Sequence, residues 1–170
     1  MTVESSLLSK NVSGENGGAL YNSGELFVVN STLSENSALN VGAGIYSYTT
    51  ATLEVLNSTI VLNYARSALS QGAAIYGSNS KSFKITNSII AENTAANDVQ
   101  ITGLYTDTSS IISESIAGLI DPVLRDNGGD TKTHALLFGS AAINAGNKQA
   151  ATAAGLTTDQ RGTGFARIVD

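Results

Sequence analysis

The sequence predicts an all-β protein, a parallel β-helix of three to four turns with a C-terminal capping segment, on three observations. The heptapeptide NSTLSEN at 30–36 returns as NSTIVLN at 57–63 and as NSIIAEN at 87–93. A glycine-rich segment ending in tyrosine, GGALY at 17–21, returns as GAGIY at 42–46 and GAAIY at 72–76. Between the two lies a stretch alternating with period two: ELFVVN at 25–30, TLEVLN at 52–57 and SFKITN at 82–87.

Each unit reads as three short strands. Tyr21, Tyr46 and Tyr76 are 25 and 30 residues apart, so the turns change length while the strands do not. A degenerate earlier copy, SSLLSKN at 5–11, extends the series upstream. Strands this short bury no apolar face alone, and a unit of this length holds no crossover helix. Stacking the units at the ordinary interstrand spacing of ~4.8 Å lets each strand pair in parallel with its copies and sets like residue over like. Leu20, Ile45 and Ile75 then form one inward column, Leu33, Ile60 and Ile90 a second, and Val28, Val55 and Ile85 a third.

The repeated asparagines and glycines fall at the bends. An asparagine in the same place in every turn can stack its amide on the next, N–H to C=O, and so satisfy groups the bend would otherwise bury unpaired. Two such columns are expected, Asn30, Asn57, Asn87 and Asn36, Asn63, Asn93. Loss of one member should cost about 1 to 3 kcal/mol through its orphaned partners. Gly17, Gly18, Gly42, Gly44 and Gly72 suit bends that need positive φ or close backbone approach. The reading divides one domain into repeats at 1–120 and a capping segment at 121–170, the latter expected to cover the bottom of the stack.

Composition excludes several functions. The net charge is −5 and the nine Lys and Arg are scattered singly, so no basic surface exists for nucleic acid. The chain has no cysteine, which rules out disulfides and thiolate metal sites. No apolar run approaches the roughly 18 residues of a membrane span, and the first residues do not form a signal peptide.

The repeats and the tail carry a resemblance. DPVLRDNGGDTKTHALLFGSAAINAG at 121–146, TDQRG at 158–162 and the GG[AG][IL]Y units resemble the right-handed parallel β-helix proteins with a choice-of-anchor Q domain. FVVN at 27–30 is similar, more distantly, to the FxxN repeats of polymorphic outer-membrane proteins. The resemblance implies a right-handed coil and a bacterial cell-surface or secreted, extracellular location, with no agreed catalytic residues. The chain departs from that pattern at Asp130 and Ala141, where proline is usual. Because the first residues already lie mid-repeat, the chain is expected to be part of a longer protein.

Candidate chemistry is sparse. The column Lys10, Glu35, Leu62, Glu92 alternates in charge and reads as solvated. Glu25 and Glu54 are read as offset by one place, hence on opposite faces. Asp121, Asp126, Asn127 and Asp130 lack the spacing and terminal Glu of a calcium loop and read as turn formers. His134, the only histidine, reads as a packed structural residue. Thr32, Thr59 and Ile89 beside Ser31, Ser58 and Ser88 make too short an array for ice binding. Tyr46, Tyr48, Tyr64, Tyr76 and Tyr105 are candidate glycan contacts through their ring faces. No catalytic residue, metal ligand or cofactor is assigned. The expected role is a non-catalytic structural or adhesive module, with a polysaccharide or a host or neighbouring-cell surface ligand and end-to-end self-association as candidate partnerships. A carbohydrate-active β-helix that binds or cleaves polysaccharide is the alternative.

Overall fold

The structure, a computed structural model, describes residues 1–168. Its strands follow one another in turns: β1 (Thr2–Glu4), β2 (Leu7–Ser9) and β3 (Val12–Ser13) open the series. The next turn holds β4 (Leu20–Asn22), β5 (Glu25–Val29), β6 (Thr32–Ser34) and β7 (Ser37–Ala38). The same order repeats in β8 (Ile45–Ser47), β9 (Thr52–Leu56), β10 (Thr59–Val61) and β11 (Tyr64–Ala65). It continues with β12 (Ile75–Gly77), β13 (Ser82–Thr86) and β14 (Ile89–Ala91), and ends with β15 (Ile101–Thr102), β16 (Thr106–Thr108) and β17 (Ile111–Ser113).

All these strands pair in parallel with their copies in neighbouring turns, giving a β-solenoid of about four turns. Sheet I is β4-β8-β12-β15, sheet II β1-β5-β9-β13-β16, sheet III β2-β6-β10-β14-β17 and sheet IV β3-β7-β11. A full turn therefore has four strands where the sequence suggests three. The added pair of residues in sheet IV is too short to show alternation, and its inward position is alanine: Ala38 and Ala65 are buried with Ala43, Ala73 and Ala95.

The expected columns are in register: Leu20 with Ile45 and Ile75, Leu33 with Ile60 and Ile90, Val28 with Val55 and Ile85. Leu26, Leu53 and Phe83 form a further inward column of the same core. Fully burying such a side chain contributes roughly 1.5–3 kcal/mol, so these columns dominate the favourable side of folding. In the last turn the partner of Ile85 is Asp107, an exposed carboxylate that ends that core column.

Three stacked corners turn the chain through left-handed backbone. Between sheets II and III lie Ser5, Asn30, Asn57, Asn87 and Ser109, with φ of 46, 51, 49, 51 and 57°. Between sheets III and IV lie Lys10, Glu35, Leu62 and Glu92, with φ of 59, 58, 59 and 49°. Gly17, Gly42 and Gly72 make the corner leading into sheet I, with φ of 68, 62 and 55°. Asparagine tolerates this conformation; Lys, Glu and Leu adopt it at a cost of roughly 1–2 kcal/mol each, which the stacked strands on either side impose.

The tail corrects an expectation. From Ile116 onward the chain does not cover the bottom of the stack but lies along the outer face of sheet III. Ile116 and Ile120 bury against Val61 and Ala91, which point away from the core. The bottom stays open: β16 is exposed throughout and Ile112 is 37% exposed. The physical reason is that the outer face of sheet III carries Val61, Ile89 and Ala91, apolar groups that need a cover. The tail holds short antiparallel bridges and one helix, α1 (Lys148–Ala153), whose first turn is capped by the Asn147 side chain accepting from the Ala150 N–H.

Candidate functional site

Two ladders run along the solenoid, one at each end of the strands of sheet III. In the first, Asn11 Nδ2 donates to Asn36 Oδ1 at 2.9 Å, Asn36 Nδ2 to Asn63 Oδ1 at 2.9 Å, and Asn63 Nδ2 to Asn93 Oδ1 at 2.7 Å. Each Oδ1 also accepts the main-chain N–H of the rung before it. Gln100 closes the series, its Oε1 accepting from Asn93 N and Nδ2 at 2.9 Å.

Asn30, Asn57 and Asn87 do not bond to one another, which corrects the expectation of a second asparagine ladder. Their left-handed φ turns each side chain out toward the tail, and the ladder belongs to the next residue. Ser31, Ser58, Ser88 and Ser110 each accept the main-chain N–H of the preceding rung at 3.1 Å, from Ser6, Ser31, Ser58 and Ser88 in turn. Sequence reasoning misses this ladder; its signal is the Asn-Ser pair repeated at 30–31, 57–58 and 87–88. The outward amides of Asn30 and Asn87 hold the tail. Asn87 clasps residue 147 by both main-chain groups, accepting from its N–H at 2.7 Å and donating to its C=O at 2.9 Å. Asn30 donates to Thr158 O at 3.1 Å and accepts from Arg167 Nη1 at 3.2 Å.

His134 fastens the same face. Its Nδ1 lies 2.7 Å from the Asp121 carbonyl and so carries the proton, leaving Nε2, 2.9 Å from Ser34 Oγ, to accept. Burial holds the imidazole below its ordinary pKa, against the Asp121 carbonyl and the charges of Glu35 and Asp121.

The candidate acids have structural partners. Glu35 pairs with Lys10 at 3.5 Å, and Glu92 Oε2 accepts from the Ile116 N–H at 3.0 Å. Asp121 accepts from Val123 N and Arg125 Nε, with the arginine first in holding its carboxyl below the usual range; Asp126 accepts from Gly128 N. Glu25 and Glu54 are corrected: Glu25 pairs with Thr52 and Glu54 with Phe27, an offset of two residues, so both lie on the outer face of sheet II. Among the described residues no group of three or more His, Cys, Asp or Glu could hold a metal ion.

The five tyrosines do not share a face. Tyr46 is buried in a column, its ring 4.9 Å from Tyr21 and 5.7 Å from Tyr76, so both of its faces are covered. Burial, then the neighbouring Tyr21, pushes its hydroxyl above the usual pKa, against a hydrogen bond with Ser78. Tyr48 is exposed just beyond β8, Tyr64 is exposed on sheet IV, and Tyr105 tilts against Phe83 at 5.5 Å near the bottom. The Thr32, Thr59, Ile89 column lies under the tail, with Thr32 bonded to Gln160 at 2.6 Å.

Between that column and the tail runs a groove of about 730 Å³, within the usual range of ligand pockets. Asn57, Thr59, Ile89, Ser109, Ile143 and Arg167 are among the residues that line it. No family model, no curated protein and no solved structure matches the chain. Among the described residues no helix is long and apolar enough to cross a membrane.

Proposed function

We propose that the chain is a non-catalytic structural or adhesive module of a bacterial cell-surface or secreted protein. The observation that supports this best is the pair of axial ladders. They tie every turn to the next with side-chain as well as main-chain hydrogen bonds, so that the unit is stiff along the stacking axis. Glu35, Glu92, Asp121 and Asp126 each make a local structural contact, with Lys10, the Ile116 N–H, Val123 N and Gly128 N in turn, which suits a scaffold. The likeness of the tail to the choice-of-anchor Q sequences supports the surface location.

A carbohydrate-active reading is favoured by one observation, the groove under the tail, whose lining mixes polar and aliphatic groups. A glycan array run beside an assay for unsaturated and reducing-end products separates the two. The scaffold reading predicts retention on one or more surface glycans with no product. Product formation would overturn it.

A further inference from the structure

The corner column of outward asparagines is complete at its ends and unfilled in its middle. Asn30 and Asn87 each hold tail backbone, whereas Asn57, between them, has among the described residues neither a donor for its Oδ1 nor an acceptor for its Nδ2. That amide is only 6% exposed and lines the groove. A buried amide with no partner costs roughly 1–3 kcal/mol, a penalty that a ligand offering one donor and one acceptor side by side removes.

A second group beside it is also incompletely used. The Arg167 guanidinium is half-buried, with Nη2 3.4 Å from the Asn57 carbonyl and Nη1 3.2 Å from Asn30 Oδ1. Among the described residues no carboxylate lies within ion-pairing distance of it, while the other groove arginine, Arg161, is tied to Asp159 at 2.6 Å. Burial lowers the Arg167 pKa, opposed by the more distant charge of Asp159, so the site carries a partly desolvated cation whose natural complement is an anion.

The remaining lining fits the body of a sugar ring. Thr59 and Ser109 offer hydroxyls, and Ile89, Ile111 and Ile143 offer aliphatic surface, so polar edges and C–H faces both find partners. From this juxtaposition we propose that the groove binds a carboxylated sugar residue, with neighbouring ring hydroxyls bridging Asn57 Oδ1 and Nδ2 and the sugar carboxylate on Arg167. The site deepens the adhesive reading and rests on it, by naming the ligand class and the face that takes it.

The test is a calorimetric and NMR titration of the whole chain with three probes: a galacturonate trisaccharide, the neutral galactose trisaccharide and a short acidic peptide. The uronate should bind at least tenfold more tightly than the neutral sugar or the peptide, with shifts centred on Asn57, Thr59 and Arg167. Asn57→Gly, which keeps the left-handed backbone, should weaken the uronate at least tenfold. Arg167→Gln should abolish the preference for the acidic over the neutral sugar. The site is refuted if the uronate does not bind, if its shifts centre on Tyr48 or Tyr64, or if the peptide binds as well with Asn57→Gly indifferent. The wild-type shift map decides even if a variant does not fold. Glycan retention undiminished in both variants would refute the groove while leaving the adhesive reading intact, whereas product formation would overturn the non-catalytic reading alone.

Discussion

Asn63→Ala removes the central rung of the asparagine ladder. Its Oδ1 accepts from the Asn36 main-chain N–H and from Asn36 Nδ2, both at 2.9 Å. Its Nδ2 donates to Leu33 O and Val61 O, both at 3.1 Å, and to Asn93 Oδ1 at 2.7 Å. Truncation deletes all of these. Asn36 Nδ2 keeps the Leu8 carbonyl and Asn93 Oδ1 keeps the Asn63 N–H, but the buried Asn36 main-chain N–H loses its acceptor. One orphaned donor together with the lost net worth of the other bonds amounts to about 2–4 kcal/mol. For a chain of this size that lowers Tm by roughly 4–16 °C. The matched control is Asn57→Gly, which removes an amide without partners at a φ of 49° that glycine accepts; relief of the buried amide offsets glycine's backbone entropy, so this variant should lose no more than about 1 kcal/mol. Thermal melts followed by circular dichroism at constant pH compare the two. Coincident melting of both variants would refute the ladder as a source of stability.

Further expectations follow from the same geometry. A Cβ on Gly44 would meet the Ala74 carbonyl at 2.5 Å while one on Gly24 meets nothing, so Gly44→Ala should cost about 1–3 kcal/mol in a denaturant titration and Gly24→Ala should be nearly silent. His134 is held neutral by burial, below its ordinary 6.5, so the unfolded chain takes up a proton first as the pH falls. Stability should therefore drop from about pH 6.5 downward through the depressed folded value, and His134→Gln should flatten that slope in denaturation series near pH 7.5 and 5.5. Far-UV circular dichroism should be dominated by strand, because the one helix among the described residues is six residues long; a helical content near half the chain would contradict the fold.

What the sequence reveals and what it hides follow from periodicity. The inward columns are legible because each is an apolar residue at a fixed place in every turn, as with Leu33, Ile60 and Ile90. Asn36 and Asn30 look alike in sequence, each beside an apolar strand, yet one is a ladder rung and the other a left-handed corner. At both corners of sheet III the left-handed residue comes first and the ladder residue second, Asn30 before Ser31 and Glu35 before Asn36. That order belongs to backbone geometry, and composition alone does not display it. The tail has no copy of itself in the chain, so nothing periodic announces that it lies on sheet III. The groove and the unpartnered Asn57 amide arise only from that placement.

Hydrogen exchange of the asparagine side-chain amides tests most directly whether the stack is held by side-chain ladders. Asn36, Asn63 and Asn93 are buried and bonded rung to rung, whereas Asn79 is exposed in a turn. The Nδ2 protons of the three ladder residues should exchange only through openings of the solenoid and match the slowest main-chain amides of sheet III, while those of Asn79 exchange at the rate of a free amide. Ladder protons exchanging as fast as Asn79 would show that the amides are open to water, and the stack would then rest on its apolar columns and main-chain pairing alone.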